Sequence, residues 1–141
     1  MSQKRVVAVH DISCFGKCSL TVALPILSAC GIECSVIPTA VLSTHTGGFT
    51  GFTFRDLTED ILPVASHWRK EGITADVFYT GYLGSAEQTE MVKRTIEMLR
   101  TVESKVVVDP AMADFGRLYT GFDSDFPLAM LSLCQCADII V

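Results

Sequence analysis

The chain has 141 residues, 49% of them hydrophobic and 19% charged, so it is long and apolar enough to bury one substantial core. Its formal net charge of −5 and its lack of basic blocks argue against a surface for nucleic acid or anionic membranes. No signal-like segment and no apolar run near the roughly 20 residues that span a bilayer is present, which predicts a cytoplasmic protein.

Strands and helices are expected to alternate from the start of the chain. The first strand is predicted at residues 5–9, followed by a helix that Ser19 would cap and Gly31 would stop. A second strand is predicted at residues 33–40, where Pro38 indicates an edge position or an irregularity. The chain therefore opens with a strand–helix–strand unit.

The alternation continues after a segment rich in Thr and Gly, residues 39–53. Capping boxes at 56–59 and 85–88 predict the starts of two helices, with a strand at 76–80 between them. The remaining predicted elements are a strand at 105–109, a helix at 123–136 with Pro127 in its first turn, and a buried strand at 138–141. Such alternation implies one α/β unit, with a mostly parallel sheet and helices on both faces.

Ligands of open parallel sheets bind beyond the carboxyl ends of the strands. Four polar segments follow predicted strands and should meet at that edge, namely residues 10–16, 39–53, 81–84 and 109–114. Each segment is weak evidence alone, but their convergence predicts a site for a small molecule.

Candidate binding groups in these segments also have plain structural interpretations. Asp11 and Ser13 could bond a ligand or could satisfy a local Asx turn. His45 lies in a Gly-rich loop that could close over a ligand, although a lone histidine is often structural. Tyr82 could stack on an aromatic ligand or simply pack, and His10 is interpreted as a packed or solvated residue at a strand end.

Two acids point to a hard cation. Asp109, at a predicted strand end, and Asp114 could orient Mg²⁺ through oxygen ligands, unless Asp109 only caps the next segment. The glycine fingerprints of dinucleotide and P-loop sites are missing, and Lys17 is interpreted as a solvated loop residue. The six cysteines lack C-x-x-C pairing and are expected to be reduced thiols, with Cys14 and Cys18 the best candidates for reactivity.

Together these segments resemble the pyridoxal/pyridoxamine kinase family of the ribokinase-like superfamily. The motifs are HDISCFG at 10–16, STHTG at 43–47, TGYLGSAEQ at 80–88 and VDPAMAD at 108–114. The resemblance covers nearly the whole chain, and the STHTGG form is most similar to bacterial pyridoxamine kinases. It implies a ribokinase-like fold in which residues 1–141 are the N-terminal part of a single kinase domain whose C-terminal half is missing.

The resemblance also implies a reaction, the transfer of a phosphoryl group from ATP, with Mg²⁺, to the 5'-hydroxymethyl group of a vitamin B6 vitamer. The implied substrate-binding positions are Asp11, Ser13, His45, Thr46, Gly47 and Tyr82. Asp109 and Asp114 match acids near the ATP phosphates, and Asp109 also matches the acid near the metal.

This sequence departs from the family pattern at Ala113, where the family usually has Gly. The family's anion hole, catalytic base and most adenine contacts would lie beyond Val141, so no catalytic residue is expected in this segment. We therefore expect a kinase that forms a homodimer when full-length and a segment that is inactive alone. The alternatives are a hydroxymethylpyrimidine kinase, a non-catalytic truncated fragment and, third, a generic Rossmann-type nucleotide binder.

Overall fold

A computed structural model describes residues 3–141 of the chain. In chain order the strands are β1 (Arg5–Ser13), β2 (Glu33–Leu42), β3 (Phe54–Asp56), β4 (Ala75–Thr80), β5 (Arg100–Val108), β6 (Ala113–Asp114), β7 (Arg117–Leu118) and β8 (Ile139–Ile140). The helices are α1 (Leu20–Ala29), α2 (Thr58–Lys70), α3 (Ala86–Leu99) and α4 (Phe126–Cys134).

Six strands form one sheet in the order β3-β2-β1-β4-β5-β8, and only β3 runs antiparallel to its neighbour. From β1 the chain crosses through α1 to β2, and it then returns across β1 to reach β4, β5 and β8. Because parallel crossovers are right-handed, α1 covers one face and α2, α3 and α4 cover the other. The mostly parallel sheet with flanking helices confirms the predicted fold class.

The core lies between the sheet and the layer formed by α2, α3 and α4. Alternate residues of β1, Val7 and Val9, are fully buried there, and α3 contributes Val92 and Ile96 at helical spacing. Each such aliphatic side chain stabilises the fold by about 1.5–3 kcal/mol relative to an exposed one. This layer fixes the positions of the strand ends that carry the polar segments.

The first strand is longer than the prediction of residues 5–9, because it continues to Ser13. The HDIS segment therefore belongs to the sheet, and His10, Asp11 and Ser13 are buried instead of lying in a loop. The register with β2 shifts between His10 and Ile12. Pro38 is the partner of His10 in that register, so the irregularity predicted at this proline is confirmed.

The second strand also runs past its predicted end, to Leu42. Residues 40–42 gain backbone partners from β3, a three-residue strand that the sequence did not predict. Thr39 is consequently fully buried, and the polar loop begins only at Ser43. The short hairpin of β6 and β7 was likewise not predicted.

The last strand forms where it was predicted, but it is not buried. Ile139 and Ile140 are 53% and 55% exposed, because β8 is the outermost strand and pairs only with β5. The expectation of a buried strand at 138–141 is therefore wrong for the structure described.

The two predicted capping boxes have opposite outcomes. Ser85 Oγ accepts a hydrogen bond of 3.2 Å from Gln88 N, which confirms the cap of α3. The box predicted at Asp56 is wrong, because Asp56 is the last residue of β3. Its Oδ1 instead accepts from Thr58 N at 2.7 Å in an Asx-type turn that leads into α2.

The predictions for the ends of α1 and α4 are partly confirmed. The predicted cap of α1 is wrong, because Ser19 precedes the helix but its hydroxyl makes no capping hydrogen bond and its φ is +50°. Gly31 has a φ of +76° just beyond α1, as expected for a helix stop. Pro127 lies in the first turn of α4, which confirms its predicted place.

Candidate functional site

A pocket of about 570 Å³ opens at the carboxyl ends of β1, β4 and β5. This is the point where the strand order reverses. The connection from β1 leads to β2 on one side, and the connection from β2 and β3 leads to β4 on the other side of β1. Connections on opposite faces leave a crevice at such a point, and ligands of α/β sheets bind there. The topology itself therefore produces this pocket.

All the positions predicted to bind substrate, phosphate or metal line this one pocket. They are Asp11, Ser13, His45, Thr46, Gly47, Tyr82, Asp109 and Asp114. The parallel register brings them together from four separate segments. Which ligand each of them contacts stays a prediction.

Asp11 supplies the most deeply buried carboxylate of the pocket, with only 4% of the residue exposed. Ser13 Oγ donates to Asp11 Oδ2 at 3.2 Å, whereas Asp11 Oδ1 is buried without a partner. Burial raises the pKa of Asp11 above its ordinary value, and the neighbouring Ser19 and Ser13 hydroxyls oppose that rise. Asp11 Oδ1 is therefore a buried acceptor that has no partner within residues 3–141.

The loop over residues 43–53 is closed at its base and shaped by a histidine. Ser43 N donates to Thr53 O at 3.1 Å, and Thr53 N donates to Ser43 Oγ at 2.8 Å. Gly47 N donates to His45 Nδ1 at 2.6 Å, so a neutral His45 carries its proton on Nε2. A Cβ on Gly47 would lie 2.4 Å from His45 Cε1, so a larger residue there would displace the His45 ring. His45 thus holds the turn that presents the exposed Thr46 at the pocket rim.

Tyr82 belongs to an aromatic wall on another side of the pocket. Its ring stacks on Phe122 with centroids 5.6 Å apart, and Phe122 stacks on Phe126 at 3.8 Å. Tyr119 lies 6.4 Å from Tyr82 and also lines the pocket. Tyr82 is therefore packed on Phe122 and also lines the pocket, while its stacking on an aromatic ligand stays a prediction.

The two acids differ in their settings. Asp109 N donates to Thr80 O at 3.2 Å, and burial raises the pKa of the half-buried Asp109 carboxyl. Asp114 is exposed in the hairpin, where its backbone is in register with that of Arg117. Within residues 3–141, no group of three or more His, Cys, Asp or Glu is placed to hold a metal ion. A single carboxylate such as Asp109 still suits Mg²⁺, which keeps waters and takes phosphate oxygens as its other ligands.

His10 is a pocket residue that the sequence interpretation missed. It is only 3% exposed, and neither ring nitrogen has a partner with sound hydrogen-bond geometry. Burial lowers the pKa of His10 to about 4, with the nearby Tyr79 backbone opposing the shift, so the ring is neutral at pH 7. The available signal was its place directly after four apolar strand residues. Lys17 and Cys18 also line the pocket, and all six cysteines are free thiols.

Comparisons with known proteins agree with this architecture. No family model matches the chain. A pyridoxine/pyridoxal/pyridoxamine kinase from Bordetella avium (strain 197N) is 31% identical over 118 residues, which are 77% of this chain and 38% of that protein. No helix within residues 3–141 is long and apolar enough to cross a membrane.

Two crystal structures superpose on almost the whole chain. One is described as a phosphomethylpyrimidine kinase from Bacteroides thetaiotaomicron VPI-5482, crystallised with pyridoxal, with a TM-score of 0.94 and 44% identity over 99% of this chain and 48% of that one. The other is pyridoxal kinase from Lactobacillus plantarum, with a TM-score of 0.91 and 37% identity over 99% of this chain and 49% of that one.

The sheet order, the pocket at the strand reversal and these matches define the ribokinase-like fold. Within that fold class the chain is a homologue of the pyridoxal kinases, as the sequence motifs predicted. It spans about half the length of the solved structures that it matches.

Proposed function

We propose that the protein phosphorylates the 5'-hydroxymethyl group of a vitamin B6 vitamer, using ATP and Mg²⁺, and that residues 1–141 supply the vitamer pocket. The observation that carries this proposal is the pocket itself, which combines a buried acceptor, an aromatic wall and a polar loop. Its volume of about 570 Å³ falls in the range of small-molecule sites. The related structure from Bacteroides thetaiotaomicron was crystallised with pyridoxal.

Each group has a defined task in this proposal. Asp11 Oδ1 accepts from a donor on the heterocycle, and Tyr82 stacks against the flat ring. Thr46 contributes a hydroxyl at the rim, while His45 keeps the loop in shape through the Gly47 amide. These contacts bind and orient the substrate, which is the largest part of what phosphoryl transfer needs from a protein.

ATP and Mg²⁺ are assigned to the side of the pocket that carries Asp109. Bound Mg²⁺ would neutralise charge on the transferred phosphoryl group. Asp109 and Asp114 would orient the metal and the phosphates. Because the chain covers 48% of the related Bacteroides structure, we propose that residues 1–141 bind the vitamer without transferring phosphate by themselves. The homodimer and the cytoplasmic location stay predictions.

A second candidate is phosphorylation of hydroxymethylpyrimidine. It is favoured by one observation, the description of the Bacteroides relative as a phosphomethylpyrimidine kinase. The two substrate classes share a flat nitrogen heterocycle with a hydroxymethyl group, so this pocket suits both.

Calorimetric titration of residues 1–141 with pyridoxine, pyridoxamine and hydroxymethylpyrimidine separates these functions. We expect saturable vitamer binding that Asp11→Asn and Thr46→Ala each weaken several-fold. Thr50→Ala is the matched control, because Thr50 is exposed in the same loop but does not line this pocket. Tighter binding of hydroxymethylpyrimidine than of any vitamer would favour the second candidate. Unchanged affinity in both pocket variants would remove the assignment of these residues.

A further inference from the structure

His10 is a buried polar side chain whose hydrogen-bonding capacity is not fully used within residues 3–141. Neither buried ring nitrogen has a partner with good hydrogen-bond geometry there, although the Tyr79 backbone lies close to the ring, and the residue is 3% exposed. Buried polar groups nearly always have a partner, so each exception calls for a physical explanation. The ring lines the pocket at the carboxyl end of β1.

The surroundings hold the ring in this position. Tyr79 contacts it edge to face, with ring centroids 4.5 Å apart. Gly81 follows β4 directly, and a Cβ there would lie 2.2 Å from His10 Nδ1, so the buried imidazole occupies space that a glycine leaves free. An apolar ring or a leucine would fill this space equally well and would leave no polar atom unpaired. Packing alone therefore does not explain an imidazole here.

The chemistry of the His10 imidazole limits which groups can be its hydrogen-bond partner. A neutral imidazole has one N–H donor and one nitrogen acceptor. The charged residues that line the same pocket are Asp11, Asp109, Asp114 and Lys17. A group that both donates and accepts, such as a hydroxyl, matches the one donor and one acceptor of a neutral imidazole in such a pocket.

We propose that His10 is a specificity-determining residue whose imidazole hydrogen-bonds a hydroxyl of the bound heterocycle at the floor of the pocket. This inference rests on the proposed function and adds to it a contact that distinguishes hydroxyl-bearing ligands from ligands without that hydroxyl. Asp11 Oδ1 and the His10 imidazole would then form hydrogen bonds with two different substituents of the same heterocycle.

The test changes both the protein side chain and the ligand hydroxyl and measures the binding affinity of each combination. Wild-type residues 1–141, His10→Leu and His10→Gln are titrated with pyridoxine and with its 3-deoxy, 4-deoxy and 5-deoxy analogues. We expect His10→Leu to weaken pyridoxine binding about 5- to 10-fold, as for one hydrogen bond, and His10→Gln to restore part of the loss. One deoxy analogue should bind wild type and His10→Leu equally, because its missing hydroxyl is the partner. A loss of the same factor for all four ligands, or no loss, would overturn the inference.

Folding of the variants is measured alongside by urea unfolding. His10→Leu should be at least as stable as wild type, since it removes two unpaired buried nitrogens. If His10→Leu does not fold, the ¹⁵N chemical shifts of the histidine rings in wild type test whether His10 contacts the ligand. Pyridoxine should move the His10 signals and leave those of the exposed His67 in place, and unmoved His10 signals would overturn the inference. If pyridoxine fails to bind wild type at all, the proposed function fails instead.

Discussion

The side chain of Gln88 connects three of the segments that build the pocket, and its removal should cost much of the stability of the chain. Gln88 is fully buried at the start of α3. Its Nε2 donates to Thr39 O and to Thr58 Oγ1, both at 2.9 Å, and its Oε1 accepts from Gly84 N at 2.8 Å. These bonds join the end of β2, the start of α2 and the turn that carries Tyr82.

The perturbation is Gln88→Met, which keeps the length of the side chain and removes its polar atoms. Gly84 N then loses its partner in a half-buried setting, whereas Thr39 O keeps the hydrogen bond that Leu57 N donates at 3.0 Å. One unpaired buried group costs about 1–3 kcal/mol and each other lost hydrogen bond about 1 kcal/mol, so we expect a loss on the order of 3 kcal/mol in the free energy of unfolding. A domain of this size is typically stable by only about 5–15 kcal/mol, so the loss is easily measured.

Urea unfolding followed by circular dichroism measures the loss. Gln135→Met is the matched control, because Gln135 is an exposed glutamine at the end of α4, and it should change stability by less than about 0.5 kcal/mol. Equal effects of the two substitutions would refute the argument that the Gln88 hydrogen bonds stabilise the strand ends.

Three further predictions concern the pocket. Gly81→Ala should destabilise the chain strongly, because the new Cβ meets the His10 ring. Calorimetric melting should show a smaller loss of stability from Gly81→Ala when His10→Ala is also present. Additive losses of stability would contradict the clash. Gly47→Ala should weaken vitamer binding in titration, with little change in melting temperature, because its Cβ meets His45 in an exposed loop; unaltered binding would contradict this. The unfolded chain protonates His10 near pH 6.5 and the folded chain only near its pKa of about 4, so stability from this group is lost as the pH falls between those values. Urea midpoints at pH 7 and pH 5 should therefore differ less in His10→Leu than in wild type, and an equal difference would contradict the buried neutral ring.

The convergence of the polar segments was predictable because it depends only on topology. Strand–helix alternation implies parallel strands, and parallel strands place their carboxyl ends at one edge. Asp11, Thr46, Tyr82 and Asp109 therefore needed no knowledge of packing to be assigned to the same region. The structure places all four around one pocket.

The misses came from segments whose conformation depends on tertiary partners. The polar HDIS segment was predicted to follow the first strand as a loop. Neighbouring strands and the missing Cβ of Gly81 instead allow His10 to be buried inside β1. Three residues of β3 are too few to give a periodic signal. Asp56 and Ser85 have equivalent capping patterns, and pairing of β3 with β2 decides that only Ser85 caps a helix.

The central claim is that a vitamin B6 vitamer binds where β1, β4 and β5 end. The most direct measurement is an amide NMR titration of ¹⁵N-labelled residues 1–141 with pyridoxine, which has no aldehyde to react with lysines. We predict saturable shifts at Asp11, Thr46, Gly47 and Tyr82, with the amides of α2 unmoved. Saturable shifts that cluster elsewhere on the chain, or none at all, would contradict the account.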